Sequence, residues 1–371
     1  MKKKILYICS EATTGLLPYA VNIIRCASQS PALDVYAITI DANGLSYRSY
    51  FDDRLAPKIS FLNGEYSGLR KYVNKIYPEK IGREAKRICK AYGIDIIHLL
   101  TVDYTCVLLA PRLKRLAPVY YTVHDFIPHE ESFKNVKERL VSFYIRSGVN
   151  TNIKRIHNLV TNSKNQYSRI KKKYPGKKVY YHIFPSLITG TITGGKEVCP
   201  ELYNVKNYIL FFGYIEKYKG VEYLYDAFKK NEKLSGYHLV IAGGGNIYFP
   251  HDNDPRILFI NRYIKDEEVK NLFEQSACVV YPYISATQSG VLTLAYKLQT
   301  PALVSDIPFF RETSADDCCL FFRHADTADL SEQLERLLFH TDLSDMKTAQ
   351  KRHYDENYSE KALVSSIETV Y

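Results

Sequence analysis

Short runs of apolar residues alternate with amphipathic stretches along most of this 371-residue chain. The apolar runs are rich in β-branched and aromatic residues, which is typical of buried strands. They lie at residues 5–9, 35–40, 94–100, 119–123, 158–162, 179–184, 208–212, 238–242, 257–260, 277–281 and 301–305. The stretches between them, such as 19–27 and 69–92, have the apolar spacing of helices. This alternation predicts βαβ units, and therefore parallel sheets with helices on both faces.

One segment interrupts the alternation. Residues 189–195, Thr-Gly-Thr-Ile-Thr-Gly-Gly, are rich in turn formers and lack periodicity, so they are predicted to lie in a linker. A chain of this length is also too long for one comfortable core, and two doubly wound domains are expected. The predicted segments are 1–187 for the first domain, 188–207 for the linker, 208–350 for the second domain and 351–371 for a C-terminal helix.

The amino-acid composition indicates which partners and which cellular compartment the protein would suit. Lys and Arg number 50 against 40 Asp and Glu, which gives a formal net charge of +10. That excess favours anionic partners such as nucleoside diphosphates, nucleic acid or an acidic membrane surface. No recognised nucleic-acid-binding module is present, so nucleic acid is not an expected partner. The eight cysteines include no Cys-x-x-Cys pair, which disfavours a zinc site and indicates a reducing, cytoplasmic compartment.

Membrane contact is expected to be peripheral. The N-terminal apolar run, 5–9, is too short for a signal peptide, and no run reaches the roughly 18 apolar residues that a spanning helix needs. Two basic segments, 112–115 and 168–178, would suit anionic lipid headgroups at the cytoplasmic face of the inner membrane. Solvated helix faces are the ordinary alternative for both segments.

The turn after the strand 208–212 carries a candidate diphosphate site. Gly213 and Tyr214 follow the strand, and Lys219-Gly220 precede a helix. A lysine beside a helix N-terminus combines a positive charge with the helix dipole, which suits a diphosphate. A solvated loop lysine is the ordinary alternative.

Two further turns could hold the same nucleotide. The strand 238–242 runs into Gly243 and Gly244, where the backbone could pass close to a ligand. The strand 277–281 is followed by a hydroxyl-rich loop and an apolar helical pattern, and free N–H groups at such a helix start suit phosphate. The candidate residues in this loop are Thr287, Gln288, Ser289 and Gly290. An ordinary strand-to-helix turn is the alternative in both places.

The first half contributes a histidine. His124 and Asp125 directly follow the strand 119–123, at the edge of the sheet where open α/β proteins bind ligands. His124 could hydrogen-bond a ligand hydroxyl near neutral pH, whereas a structural histidine is the alternative. His129 is a further candidate. The turn after the first strand contains only Gly15, and the missing Gly-x-Gly-x-x-Gly disfavours binding of NAD or FAD.

These segments together resemble glycosyltransferase family 4, whose members are retaining enzymes of the GT-B fold. The positions that carry the resemblance are Thr122-x-His124-Asp125 with Pro128-His129, Gly213 with Lys219-Gly220, and Ala295, Pro301 and Glu312. The chain also departs from the family. The family arginine falls on Tyr214, and the two family glutamates fall on Ala286 and Leu294. The Ala-Thr-Gln-Ser-Gly loop resembles a bacterial surface-polysaccharide subgroup that also lacks this glutamate pair.

The resemblance implies two Rossmann-like domains facing a central cleft, with the C-terminal helix crossing back to the first domain. The residue roles that it implies are donor-sugar contact for His124, phosphate binding for Lys219, ribose or sugar binding for Glu312, and donor contact for Gly15, Gly213, Tyr214, Gly243, Gly244 and the loop 287–290. Because Tyr214 replaces the arginine, Lys217 or Arg262 would have to supply any second positive charge at the leaving group.

We therefore predict a retaining glycosyltransferase that moves a sugar from a nucleoside-diphosphate sugar to a hydroxyl of a glycan or lipid-linked surface-polysaccharide intermediate. No acidic metal-binding motif such as Asp-x-Asp appears in the segments expected at the cleft, so neither a metal ion nor a cofactor is predicted. Two alternatives stay open: a non-catalytic nucleotide-sugar or glycan-binding partner subunit, and a nucleotide-sugar epimerase of the same fold. Tyr214 and the missing glutamates favour the partner subunit, whereas His124 and Lys219 argue against it.

Overall fold

The computed structural model describes residues 2–13, 16–42, 44–64, 78–126, 136–186, 188–286 and 290–371. It contains two compact units. The first comprises Met1–Pro185 together with Glu360–Tyr371, and the second comprises Ser186–Ser359. Each unit is built around one parallel sheet, as the alternating pattern predicts.

The first unit has seven parallel strands in the order β3-β2-β1-β4-β5-β6-β7. The strands are β1 (Lys3–Cys9), β2 (Leu33–Asp41), β3 (Ile59–Asn63), β4 (Ile96–Leu99), β5 (Val119–Thr122), β6 (Asn158–Thr161) and β7 (Lys178–Tyr181). The helices are α1 (Leu16–Gln29), α2 (Glu79–Tyr92), α3 (Ala110–Leu113), α4 (Val136–Arg155), α5 (Lys164–Lys173) and, at the C-terminus, α13 (Glu360–Glu368). The strand order reverses between β1 and β4, which makes the loops after these strands a topological switch point.

The second unit has six parallel strands in the order β10-β9-β8-β11-β12-β13. The strands are β8 (Tyr208–Phe212), β9 (His238–Ala242), β10 (Ile257–Ile260), β11 (Ser276–Tyr281), β12 (Ala302–Ser305) and β13 (Leu320–Phe322). The helices are α6 (Gly190–Gly194), α7 (Val221–Lys230), α8 (Asp266–Glu274), α9 (Val291–Leu298), α10 (Pro308–Thr313), α11 (Thr327–His340) and α12 (Leu343–Asn357). Its switch point lies between β8 and β11.

The extent to which a strand is buried explains whether the hydrophobic pattern of the sequence predicts it. β1 and β8 lie in the middle of their sheets, and their apolar residues are buried on both faces, so they appear in the sequence as continuous apolar runs. β3 and β13 lie at sheet edges, are short and are only partly buried. Their weaker apolar signal was insufficient to predict a strand at either position.

The segment predicted to be a linker packs on the second unit. Ile192 of α6 lies in the core of that unit. Gly195 lies directly against the backbone of Glu267 on α8, where a side chain would overlap it. The Glu197 N–H donates to the Glu267 carbonyl (3.1 Å). The bounds of the two units therefore differ from the expected segments, because residues 188–207 belong with the second unit.

The C-terminal part divides between the units. α12 lies in the second unit, and α13 packs against α1 in the first. The Tyr371 hydroxyl donates to the Tyr7 hydroxyl (2.9 Å) and contacts Nδ1 of His98 on β4. The return to the first unit therefore begins at Glu360, nine residues after the position expected from the sequence. None of the helices in the described ranges combines the length and the hydropathy that crossing a bilayer requires.

Candidate functional site

Two loops meet at the switch point of the second sheet. One follows β8 and the other follows β11, at the carboxyl edge where parallel α/β sheets bind ligands. The Ile284 N–H donates to the Tyr218 carbonyl (2.8 Å), which joins the loops. Gly220 has a φ of 61° and lies so close to Pro282 that a Cβ would overlap the Pro282 carbonyl oxygen. Glycine is therefore required for this close approach.

Lys219 places an ammonium group between these loops. Only 7% of the residue is exposed. Its Nζ lies above Gly213 at the end of β8, 3.3 Å from the position of a Cβ there. The same nitrogen lies 5.7 Å and 5.8 Å from the ring centroids of Tyr218 and Tyr283, within cation–π range. The ammonium is thus held by aromatic faces at the switch point.

Burial removes water from the Lys219 ammonium, and an anion bound beside it would replace the lost interactions. Desolvation lowers the pKa of Lys219 from 10.5 to about 8, and the negative charge of Glu216 partly opposes that shift. A desolvated cation of this kind is stabilised by an anionic ligand, such as a diphosphate, that replaces the lost water.

The glycine turns after β8 and β9 lie side by side. Gly213 has a φ of 140° and Gly243 a φ of 142°, and a side chain on Gly243 would overlap the Gly213 backbone. The Ile215 N–H donates to the Gly244 carbonyl (2.8 Å). Tyr214 is 59% exposed, and its ring lies beside Gly244. The predicted residues Gly213, Tyr214, Gly243 and Gly244 therefore lie in adjacent turns, and Lys219 contacts this group at Gly213.

Arg262 does not supply a second free positive charge. Its guanidinium forms hydrogen-bonded ion pairs with Glu201 (2.8 Å) and with Glu268 (2.8 Å). These carboxylates neutralise it and fix it to α8. Lys217, in the same turn as Lys219, is exposed to solvent. Of the cations considered from the sequence, Lys219 is the one that combines burial with proximity to the glycine turns.

Comparison with known proteins gives this arrangement a context. Residues 206–340 match the family model described as Glycosyl transferases group 1. Anabaena HepE in complex with UDP and glucose is similar with a TM-score of 0.69 and 12% identity, over 99% of this chain and 98% of that one. Sucrose-phosphate synthase from Thermosynechococcus elongatus gives a TM-score of 0.68 and 14% identity, over 100% and 98%. S. aureus MnaA in complex with UDP gives 0.56 and 12%, over 97% and 93%. A search of curated proteins gives no match.

This chain has the GT-B fold. The predicted fold class is thereby confirmed, and the match to Glycosyl transferases group 1 supports a glycosyltransferase of that fold. The matched region contains Lys219, Gly243 and Glu312, whereas His124 lies outside it.

The remaining predicted residues of this GT-B chain's second unit lie at the same sheet edge or outside the described ranges. Glu312 is half-buried on α10, which follows β12. The Ser305 hydroxyl at the end of β12 donates to the Tyr283 carbonyl (2.6 Å), so β12 is tied to the loop that contacts Lys219. Gly290 caps the N-terminus of α9. Thr287, Gln288 and Ser289 lie outside the described residues, as do Gly15 and His129 of the first unit.

Ala286 and Leu294 stand where the family that the sequence resembles has two glutamates, and both have apolar surroundings in the structure. Leu294 is buried in the core of the second unit, and Ala286 packs against that core. Neither position leaves a polar group at the sheet edge.

His124 follows β5 in the first unit, at the predicted carboxyl edge. Its Nε2 donates to the Leu100 carbonyl (3.0 Å), and its ring packs edge-on against Tyr19 (4.8 Å between centroids). Gln166 donates to the His124 carbonyl (2.8 Å). These contacts fix the ring orientation, which a structural histidine and a ligand-binding histidine both require.

Sequence reasoning missed a buried acid at the switch point of the first sheet. Asp103 follows β4 with a φ of 45°, an uncommon conformation for a residue other than glycine. Its Oδ1 accepts hydrogen bonds from the Ser10 N–H (2.8 Å), the Ser10 hydroxyl (2.6 Å) and the Thr101 hydroxyl (2.8 Å). Burial raises its pKa to about 6. The available signal was an aspartate three residues after the end of the predicted strand 94–100.

The sequence contains one Asp-x-Asp stretch outside the segments considered for the site. Asp252-Asn253-Asp254 is an Asp-x-Asp sequence, but it precedes β10 and therefore lies at the amino edge of the sheet, opposite Lys219. Asp252 accepts a hydrogen bond from the Tyr225 hydroxyl (2.8 Å), and Asp254 forms an ion pair with Arg256 (2.8 Å). Among the described residues, no group of three or more His, Cys, Asp or Glu side chains could hold a metal ion.

Proposed function

We propose that this protein is a retaining glycosyltransferase. It transfers a sugar from a nucleoside-diphosphate sugar to a hydroxyl of a glycan or of a lipid-linked surface-polysaccharide intermediate. The observation that carries the proposal is the buried ammonium of Lys219 at the switch point of the second sheet, within the region that matches Glycosyl transferases group 1. Anabaena HepE, similar in fold, is solved with UDP-glucose, which supports a nucleotide-sugar donor here.

Lys219 has the chemistry that departure of a diphosphate needs. When the bond between the sugar C1 and the diphosphate oxygen breaks, negative charge grows on that oxygen and on the adjacent phosphate. A preorganised cation in a dry setting stabilises this charge more than it stabilises the intact donor, and therefore lowers the barrier. Tyr218 and Tyr283 keep water away from one side of the ammonium.

The transfer is proposed to take place on one face of the sugar. The acceptor oxygen forms a bond to C1 on the side from which the diphosphate leaves, and a leaving phosphate oxygen takes the acceptor proton. Configuration at C1 is then retained, and no protein nucleophile is required. His124 is assigned to contact with the donor sugar and Glu312 to contact with the ribose or sugar. Metal ions are proposed to be unnecessary, because Lys219 supplies the positive charge.

Nucleoside diphosphate release tests the proposal. The purified protein is incubated with UDP-, GDP- or ADP-sugars and a bacterial lipid extract, with and without EDTA. We expect release from one donor class, insensitive to EDTA, and at least 100-fold slower in Lys219→Ala because one stabilising charge is lost from the transition state. Lys217→Ala, in the same turn but exposed, should retain the wild-type rate. A wild-type rate in Lys219→Ala would exclude this role for the ammonium.

The epimerase alternative has support from fold similarity. A putative UDP-N-acetylglucosamine 2-epimerase from Listeria monocytogenes matches with a TM-score of 0.59 and 12% identity, below the 0.69 of HepE. An epimerase would convert the donor sugar without any acceptor and without stoichiometric release of diphosphate. Analysis of the sugar products by NMR separates the two reactions. A non-catalytic partner subunit would bind the donor and give neither product.

A further inference from the structure

The net positive charge of this chain comes from the first unit. Met1–Pro185 and Glu360–Tyr371 contain 32 Lys and Arg residues against 16 Asp and Glu, a formal charge of +16. Ser186–Ser359 contains the remaining 18 Lys and Arg against 24 Asp and Glu, a formal charge of −6. A nucleotide site in the second unit does not account for this distribution. A net positive charge of this size favours an anionic partner for the first unit.

An exposed apolar surface lies on the same unit. Seven large apolar or aromatic side chains are exposed among the described residues of the first unit. Five of them lie on α4 or on the 3-10 turn Tyr104–Leu108 that packs against α4. These five residues, called the α4 patch, are Leu108, Leu140, Val141, Phe143 and Tyr144. Concentration of exposed apolar groups in one place marks an interaction surface.

α4 is apolar on two sides. Its inner side contributes Ile153 and Val149 to the core of the first unit. On the outer side, Leu140 is 63% exposed and Phe143 is 72% exposed. A helix with a single buried face carries polar residues opposite that face, and two apolar faces indicate that a second apolar environment covers α4 in its working state.

The surroundings of the α4 patch are basic. α4 carries five Lys or Arg residues and one Glu, and residues 104–115 carry three Lys or Arg residues and no acid. Arg139 is exposed directly beside Leu140, and Arg115 is exposed near Leu108 along the chain. Aliphatic and aromatic groups flanked by cations suit the interface of an anionic bilayer, where the apolar groups enter the headgroup region and the cations meet lipid phosphates.

The α4 patch also borders the ligand-binding edge of the first sheet. Tyr144 packs edge-on against Tyr104, with 5.7 Å between ring centroids. Tyr104 directly follows Asp103, which lies at the switch point between β1 and β4. A bilayer in contact with the patch would therefore lie next to the edge of the sheet at which open α/β units bind ligands.

We propose that the α4 patch docks the first unit onto the surface of an anionic lipid bilayer. Leu140 and Phe143 enter the headgroup region, and the surrounding Arg and Lys side chains contact lipid phosphates. This inference goes beyond the proposed function, because docking does not depend on sugar transfer. It assigns the basic excess of the chain to membrane contact through α4, a surface different from the segments 112–115 and 168–178 considered from the sequence.

Tryptophan fluorescence provides a direct test, because the chain contains no tryptophan. The full-length variant Phe143→Trp reports on the patch, and Tyr203→Trp is a matched control in the second unit, where Tyr203 is 71% exposed. With vesicles containing 30% phosphatidylglycerol in phosphatidylcholine, we expect a blue shift of about 10 nm for Phe143→Trp and none for Tyr203→Trp. The shift should disappear with pure phosphatidylcholine vesicles and weaken at high salt, because screening removes the electrostatic attraction.

Vesicle sedimentation with a loss-of-docking variant completes the test. Leu140→Ser combined with Phe143→Ser should lower the vesicle-bound fraction at least fivefold, whereas Phe339→Ser, at an exposed site in the second unit, should not. Thermal shift with UDP verifies separately that each variant is folded and that the nucleotide site is intact. Absence of binding by the wild type, or unchanged binding by the double variant, would overturn the proposal. A blue shift that needs RNA or rising protein concentration instead of lipid would overturn it as well.

Discussion

Replacement of Lys219 by methionine should stabilise the unliganded protein and abolish its affinity for a nucleoside diphosphate. Methionine retains most of the apolar stem and removes the buried ammonium. The residue as a whole is 7% exposed, and burial lowers the pKa of its ammonium from 10.5 to about 8. A buried ammonium with a lowered pKa does not contribute to the stability of the folded state. A residue whose role is to bind an anion can be destabilising while the site is empty.

The magnitude follows from the pKa of Lys219. Each pKa unit corresponds to about 1.4 kcal/mol, so a change from 10.5 to about 8 means that the charged form costs the folded state about 3 kcal/mol. The full cost is present below pH 8. It declines as pH rises from 8 towards 10.5, because the folded protein then loses the proton that the unfolded chain retains. About 1 kcal/mol changes the melting temperature of a domain of this size by roughly 2–4 °C, so a rise of several degrees is expected at pH 7.

The assay is thermal unfolding of both proteins at pH 7 and at pH 10, with and without UDP, GDP, ADP or CMP. Lys219→Met should melt above the wild type at pH 7, and the difference should shrink at pH 10. One nucleotide should raise the melting temperature of the wild type only. Lys217→Met is the control, because Lys217 is exposed in the same turn, and it should behave as the wild type. A lower melting temperature for Lys219→Met at pH 7 would refute the reasoning.

Three further substitutions test contacts at the two switch points and at the α8 ion pairs. Gly220→Ala should destabilise by roughly 2 kcal/mol or more in urea unfolding, because a Cβ there overlaps the facing loop, whereas Gly236→Ala, with open space around it, should not. Arg262→Ala should cost about 2 kcal/mol in the same assay, because the Glu268 side chain, 3% exposed, would lose its partner; an unchanged midpoint would contradict that. Asp103→Asn should be stabilising at pH 8 in thermal unfolding. Its advantage should fade as pH falls from 6 towards 3.8, where the folded wild type takes up the proton that relieves the buried charge.

The fold was predictable because both sheets are parallel and covered by helices. Such strands are continuous apolar runs, and β1, β8 and β9 appear as such runs in the sequence. The edge strands β3 and β13 are half-buried, and they lack this signal. The segment 188–207 has the composition of a linker, yet its packing on α8 depends on contacts with distant residues that local composition does not encode.

Residues of the candidate site could be predicted where their place directly after a strand determines where they lie in the fold. Lys219, Gly213 and Gly243 follow strands that are neighbours in the sheet, so their proximity follows from topology. The partners of Lys219 were not predictable, because Tyr218 and Tyr283 approach it only through the packing of two loops. The ion pair of Arg262 with Glu201 likewise joins segments that are distant in the sequence, and the pair with Glu268, six residues away, depends on how the turn into α8 folds.

Calorimetric titration of the wild type with UDP, GDP, ADP and CMP, alongside UMP and GMP, is the most direct measurement of the central claim. One nucleoside diphosphate should bind, at least tenfold more tightly than its monophosphate. Its affinity should be unchanged by EDTA and should weaken as pH rises above about 8, where Lys219 loses its proton. Absence of binding by any nucleoside diphosphate, or equal affinity for the monophosphate at every pH, would contradict a diphosphate site at Lys219.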